Sequence, residues 1–331
     1  MTERMTGRAA GAVLAVAAAL WPATAARAQA PVAPAAGGAR AVAELHRLGL
    51  DYAERGRYQE AAKVLAEAAK AAPGDAVVRN DLGYAYHRAG KYGEAARAYR
   101  EAIRLRGDYA LAWNNLGMSL GASGDSAGAV DALRRALEVK PDYAAAAYNL
   151  GAAYHRAGRA AEALEALSHA VRLDPAYADA YVSLGVIHTE AGRYGQAAEA
   201  LARAARLKPG WALVYKNLGL AHQKAGRLEE AAGAYVKALS LKPDAEVYNN
   251  LGVAYDLLGK KREAVETYGR AIELKPDYAE AHYNLGVAHL RAGERGAALA
   301  RYAALKNISP EMAEGLFGLL KRDRVLDAAH R

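Results

Sequence analysis

From Val42 to Met312 the apolar residues fall into a pattern that returns about every 34 positions. In the interval from Ala110 to Tyr143, Trp113, Leu116, Gly117 and Leu120 stand at i, i+3, i+4 and i+7, the spacing of one helix face. Ala129, Leu133 and Ala136 repeat that spacing further on. Gly124 separates the two runs, and Pro141 follows the second, where a helix cannot continue. The pattern predicts two amphipathic helices, A and B, in each interval. One such pair cannot bury its apolar face alone, so neighbouring pairs are expected to stack.

The period is marked by a Leu-Gly pair, from Leu48-Gly49 to Leu285-Gly286, with steps of 34, 34, 34, 34, 34, 33 and 34. With Leu as position 7, the eight repeats start at Val42, Ala76, Ala110, Ala144, Ala178, Ala212, Ala245 and Ala279. Position 15 is Gly and position 20 is Ala in all eight. Position 27 is Ala except Leu305, position 32 is Pro except Gly107, and position 24 is Leu or Tyr. Gly at position 8 and Ala at positions 20 and 27 remove bulk where the helices approach. Gly at position 15 permits the turn between them. Asp142 and Asp277, directly after the proline, are placed to cap the next helix A.

These positions resemble the tetratricopeptide repeat (TPR) family, whose W-x2-L-G-x2-Y…A-x3-F…P pattern has the same period. The resemblance covers 271 of 331 residues. It implies an all-α, right-handed superhelical solenoid of antiparallel helix pairs. Helix A would line its concave face, with positions 2, 5, 6, 9, 12 and 13 turned inward. Residues 313–331 carry Leu316, Phe317, Leu319 and Leu320 but lack the repeat's markers, and are expected to form a C-terminal capping helix.

The N-terminus adds a destination. Arg4 and Arg8 precede an apolar run from Ala9 to Trp21, Pro22 breaks it, and Ala26-Arg27-Ala28 supplies a small-x-small cleavage pattern. Thirteen apolar residues are too few to span a bilayer, which takes about 20. Residues 1–28 therefore read as a cleavable signal peptide, 29–41 as a Pro/Ala/Gly linker, and the mature chain as exported and periplasmic, with no membrane span. Cleavage would lower the formal charge from +8 to +6, leaving 41 basic against 35 acidic residues. The absence of cysteine excludes disulfides, thiolate metal sites and cysteine nucleophiles.

Catalytic signals dissolve in the repeat frame. G-x-S-x-G occurs around Ser119 and around Ser126, but a nucleophile elbow needs a strand before its turn, and no strand is predicted. Ser119 falls at position 10 of a helix A and Ser126 in an A–B turn. His188, His222 and His289 replace Tyr at position 11, while His87 and His155 lie two repeats apart. No metal, cofactor or catalytic residue is expected, and the chain reads as a non-enzyme.

Position 6 reads Arg47, Asp81, Asn115, Asn149, Ser183, Asn217, Asn250 and Asn284. Asn is a mediocre helix former, so its recurrence suggests a role beyond stability. An amide matches the alternating N–H and C=O of an extended peptide. A similar asparagine ladder lines the superhelix of O-linked N-acetylglucosamine transferase, whose catalytic domain has no counterpart here. The competing reading has these amides bridge neighbouring repeats. Tyr84, Tyr148 and Tyr283 add aromatic surface to the expected peptide groove. The inward positions carry six cations and seven anions, too balanced for nucleic acid. The expected function is a protein–protein interaction module holding an extended segment of a cell-envelope partner. The alternative is a scaffold of an envelope secretion or polysaccharide-export assembly, engaging folded partners through helix B.

Overall fold

The computed structural model describes residues 36–329; the signal-peptide reading of 1–28 and most of the linker lie outside them. Among the described residues there are seventeen α-helices and no strand. The chain divides into two compact units, 1–183 and 184–331.

In the first unit the A–B pairs are α1 (Ala36–Glu54) with α2 (Tyr58–Ala71), α3 (Ala76–Arg88) with α4 (Tyr92–Leu105), α5 (Ala110–Ala122) with α6 (Ser126–Val139), and α7 (Ala144–Arg156) with α8 (Ala160–Leu173). Helix α9 (Ala178–Glu190) contains the division between units. The second unit continues with α10 (Tyr194–Leu207), then pairs α11 (Ala212–Lys224) with α12 (Leu228–Leu241) and α13 (Ala245–Leu257) with α14 (Lys261–Leu274). It closes with α15 (Ala279–Arg291), α16 (Arg295–Ile308) and α17 (Pro310–Ala329). Consecutive helices pack on one another from α1 to α8 in the first unit and from α10 to α17 in the second. Successive A helices also touch: α1, α3, α5 and α7 in the first unit, α11, α13 and α15 in the second.

Two glycines per repeat set this packing. At position 15, from Gly56 to Gly293, φ lies between 71° and 92°, a left-handed turn that side chains resist. At position 8 the partner helix's position 24 fills the missing side chain's place. A Cβ on Gly83 would stand 2.7 Å from the Tyr99 ring, and one on Gly117 2.5 Å from Leu133. Tyr99 and Leu133 are thereby fully buried, each gaining about 1.5–3 kcal/mol from leaving water.

The ends depart from the expected boundaries. Helix α1 reaches back to Ala36, six residues into the stretch read as linker and across Gly37-Gly38. At the other end α17 begins at Pro310, suited to a first helical turn. Leu316 of α17, not Tyr302 at position 24, fills the space beside Gly286. Tyr302 instead stacks on Phe317, with centroids 5.1 Å apart.

The capping expectation for two aspartates is corrected. The residues before α7 and α15 are Tyr143 and Tyr278, so Asp142 and Asp277 sit one residue too early, and neither tyrosine side chain caps. Asp75 and Asp244 stand directly before their helices and do cap. Asp75 accepts from Val77 N at 2.8 Å and Val78 N at 3.2 Å, and Asp244 from Val247 N at 3.1 Å.

Candidate functional site

Where the A helices meet, position 6 of one repeat reaches position 5 of the repeat before it. Asn115 Nδ2 donates to Asn80 Oδ1 at 3.0 Å, and Asn149 Nδ2 to Asn114 Oδ1 at 2.9 Å. Within each helix the neighbouring amides close the gaps. Asn114 Nδ2 donates to Asn115 Oδ1 at 3.2 Å, and Asn80 Nδ2 to Asp81 Oδ1 at 3.1 Å. His46 Nε2 then meets Asp81 Oδ2 at 2.7 Å. One line of side-chain hydrogen bonds thus runs from α1 to α7 inside the first unit. The bond to Asp81, aided by the charges of Asp81 and Asp75, holds His46 above the ordinary histidine value despite its burial.

This line corrects part of the groove expectation. Asn115 is 1% exposed, with its amide spent on both sides; it is an interior strut. Asn149 and Asn284 are half-buried, and each gives an N–H backwards, Asn284 to Asn249 Oδ1 at 3.0 Å. Tyr148 is 4% exposed and packs 5.0 Å from the Tyr177 ring, its phenol pushed up chiefly by burial. Tyr283 is half-buried in the cluster that α17 forms around Leu316 and Leu320. Tyr84 is half-buried, accepts from Arg88 Nη1 at 2.8 Å and lies edge-on to Tyr58. Asn217 and Asn250 differ: neither side chain makes a hydrogen bond among the described residues, although Asn217 is only 8% exposed and Asn250 is half-buried like Asn149 and Asn284.

The difference has a local cause. Asn115, Asn149 and Asn284 each follow a repeat with Asn at position 5, namely Asn80, Asn114 and Asn249. Asn250 follows one with Lys216, whose Nζ is held by Glu246 at 2.5 Å.

Charge on the second unit's helix-A face is largely cancelled in place. Lys216 is paired with Glu246, and Arg291 with Asp256 one repeat back. Lys224 and Glu280 are exposed and form no ion pair among the described residues. Leu257, at position 13 and 61% exposed, stands in the row between Lys224 and Arg291. Sequence reasoning passed over Leu257; its signal is an apolar residue at a position that is charged in six of the other seven repeats.

Ser119 is 0% exposed, and its Oγ lies 2.8 Å from His87 Nδ1. That is a serine–histidine pair, but one sealed between α3 and α5, where no substrate carbonyl has room. Burial, then the neighbouring Arg88, holds His87 below its ordinary value. Ser126 opens α6 behind the cap formed by Asp125 Oδ1 and Gly128 N at 2.8 Å. No group of three metal-ligating side chains occurs among the described residues.

Comparison with known proteins follows the same frame. The TPR repeat model matches 83–124 and 257–293, and further tetratricopeptide repeat models match 114–177, 154–219 and 212–244. The chain belongs to the tetratricopeptide repeat family. None of the curated proteins matches this TPR chain. Among solved structures it is similar to YrrB, described as a TPR protein with an unusual peptide-binding site. The two are 24% identical with a TM-score of 0.52, over 56% of this chain and 96% of that one. It is also similar to PilW, a type IV pilus biogenesis factor, at 24% identity and TM-score 0.53 over 62% and 96%. A third relative is the C-terminal part of a TPR repeat-containing protein from Cytophaga hutchinsonii, at 15% identity and TM-score 0.61 over 72% and 99%. At these identities the likeness speaks to the fold alone. TPR arrays are protein–protein interaction modules and generally non-catalytic scaffolds, and this one has no helix among the described residues long and apolar enough to cross a membrane.

Proposed function

We propose that this TPR chain is exported through residues 1–28 and binds an extended peptide segment of a cell-envelope partner in the periplasm. The segment lies along the helix-A face of the second unit. The observation that carries this reading is the contrast within one row of asparagines. Asn115, Asn149 and Asn284 spend their amides between repeats, while Asn217 and Asn250 keep theirs. An unspent amide beside apolar surface offers a donor and an acceptor to a backbone. The peptide-binding site in the description of YrrB is a precedent for such use of a TPR array.

A second reading has support of its own. Val236, Leu241, Leu274 and Leu299 are exposed on the B helices α12, α14 and α16, a surface suited to a folded partner of a secretion or export assembly. Capture from a cell-envelope extract separates the two. Asn217→Ala/Asn250→Ala is expected to lose the partner while keeping the wild-type melting profile. Retention of the partner by the folded double variant would sink the first reading and favour the second.

A further inference from the structure

The amides hold a backbone without choosing its sequence; choice has to come from the side chains around them. On the second unit, position 13 reads Lys224, Leu257, Arg291 along α11, α13 and α15. Arg291 is neutralised by Asp256 one repeat back, which also shows that the C-terminal ends of successive A helices lie side by side. Lys224 is exposed and forms no ion pair among the described residues, and Leu257 leaves most of its side chain in water. At the opposite end of helix A, Lys216 and Glu246 cancel each other, while Glu280 in the last repeat remains exposed and unpaired. Among the described residues, the face therefore presents one cation without an ion pair over repeat 6, one bare aliphatic side chain over repeat 7 and one anion without an ion pair over repeat 8.

Resting on the peptide-binding reading above, we infer that the bound segment carries an acidic side chain about three residues from an aliphatic one, the acid seated at Lys224 and the aliphatic group on Leu257. The spacing follows from geometry. Packed helices stand about 8–10 Å apart and an extended chain advances about 3.3 Å per residue, so neighbouring repeats meet side chains about three residues apart. The charge follows from complementarity, since Lys224 attracts an acid and Glu280 repels one from the far end. The aliphatic choice follows from Leu257, whose exposed surface gains from being covered, whereas a charged residue there would be desolvated without a partner. Repeats 1–4 add no such selection through their asparagines, because Asn115 and Asn149 are engaged with the repeat before them.

The test uses the whole chain and a displayed library of random dodecapeptides, followed by titration of a fluorescein-labelled consensus peptide. The expected enrichment is Asp or Glu about three residues from Leu, Ile, Val or Met. Lys224→Glu is expected to weaken the consensus peptide about fivefold, and a peptide whose acid is replaced by Lys is expected to recover on that variant. Leu257→Ala is expected to weaken it about tenfold. Both residues are exposed, so melting should not change. Peptides that depend on Asn217 and Asn250 but lack the acid–aliphatic pair, or that ignore Lys224→Glu, would overturn this inference and leave the binding reading standing. A library from which nothing is enriched would overturn both.

Discussion

Asn149 Nδ2 donates to Asn114 Oδ1 across 2.9 Å, tying the fourth repeat to the third through two helix-A side chains. The same step recurs from Asn115 to Asn80 and from Asn284 to Asn249. A solenoid is held mainly by apolar contacts between nearest neighbours. These amides add a directional element, fixing the register of one A helix against the next at a point where an error would strand a buried polar group. The row that resembles a ligand ladder is thus divided between amides bonded across repeats and amides with no side-chain partner among the described residues.

Asn115 belongs to the joinery, and its removal should show in stability. Asn115→Ala leaves Asn80 Oδ1 without its donor and Asn114 Nδ2 with only the Met118 sulfur, in a buried setting. The expected loss is about 2–3 kcal/mol by denaturant titration. Asn217→Ala, which breaks no side-chain bond, should fall within about 0.5 kcal/mol of wild type. Equal losses at the two positions would mean that the division of the row is wrong.

Leu316 is the plug of the last repeat, occupying the space beside Gly286 that position 24 fills elsewhere. It is fully buried with Leu320 and Leu305. Leu316→Ala should lower the local opening free energy of α15 to α17 by about 2–4 kcal/mol, read by amide hydrogen exchange. Protection in α1 to α8 should stay as it was. Loss of protection throughout would show that α17 does more than close one end.

Acid should act on the histidines at position 11. Burial, then Arg193 and Arg227 respectively, holds His188 and His222 below the ordinary histidine value of 6.5, favouring their neutral forms in the fold. Their contribution is complete above about pH 6.5 and declines as pH falls toward their folded values. His46 has the opposite sign. Its raised value makes its contribution complete below 6.5 and lost as pH rises through the folded value. Substituting Tyr for both His188 and His222, the residue type found there in four repeats, should reduce the drop in denaturation midpoint between pH 7 and pH 5. An unchanged drop would place the acid sensitivity elsewhere.

Much of this was legible before any coordinates. Leu-Gly pairs and position-15 glycines gave the repeat, because close approach and a left-handed turn each tolerate few residue types. The helix context removed Ser119 as a nucleophile, but its bond to His87 was invisible, since it joins positions in different repeats. The bonds of Asn115, Asn149 and Asn284 depend on an asparagine at position 5 of the preceding repeat, so position 6 alone does not separate bonded amides from unbonded ones. Tyr148 and Tyr283 were assigned to the groove from position alone. Tyr148 is covered by Tyr177, and Tyr283 packs in the cluster that α17 forms.

A partner engaged on the helix-A face of the second unit comes within reach of side chain 257. A photo-crosslinking amino acid placed at Leu257, and separately at Val236 on α12, tests it in envelope extracts. Both sites are exposed, so the fold tolerates either probe, and an aliphatic diazirine side chain keeps the apolar surface that position 257 supplies. The expected result is a crosslinked partner from position 257 that disappears in the Asn217→Ala/Asn250→Ala background, and none from position 236. A partner captured from 236 and not from 257 would contradict it.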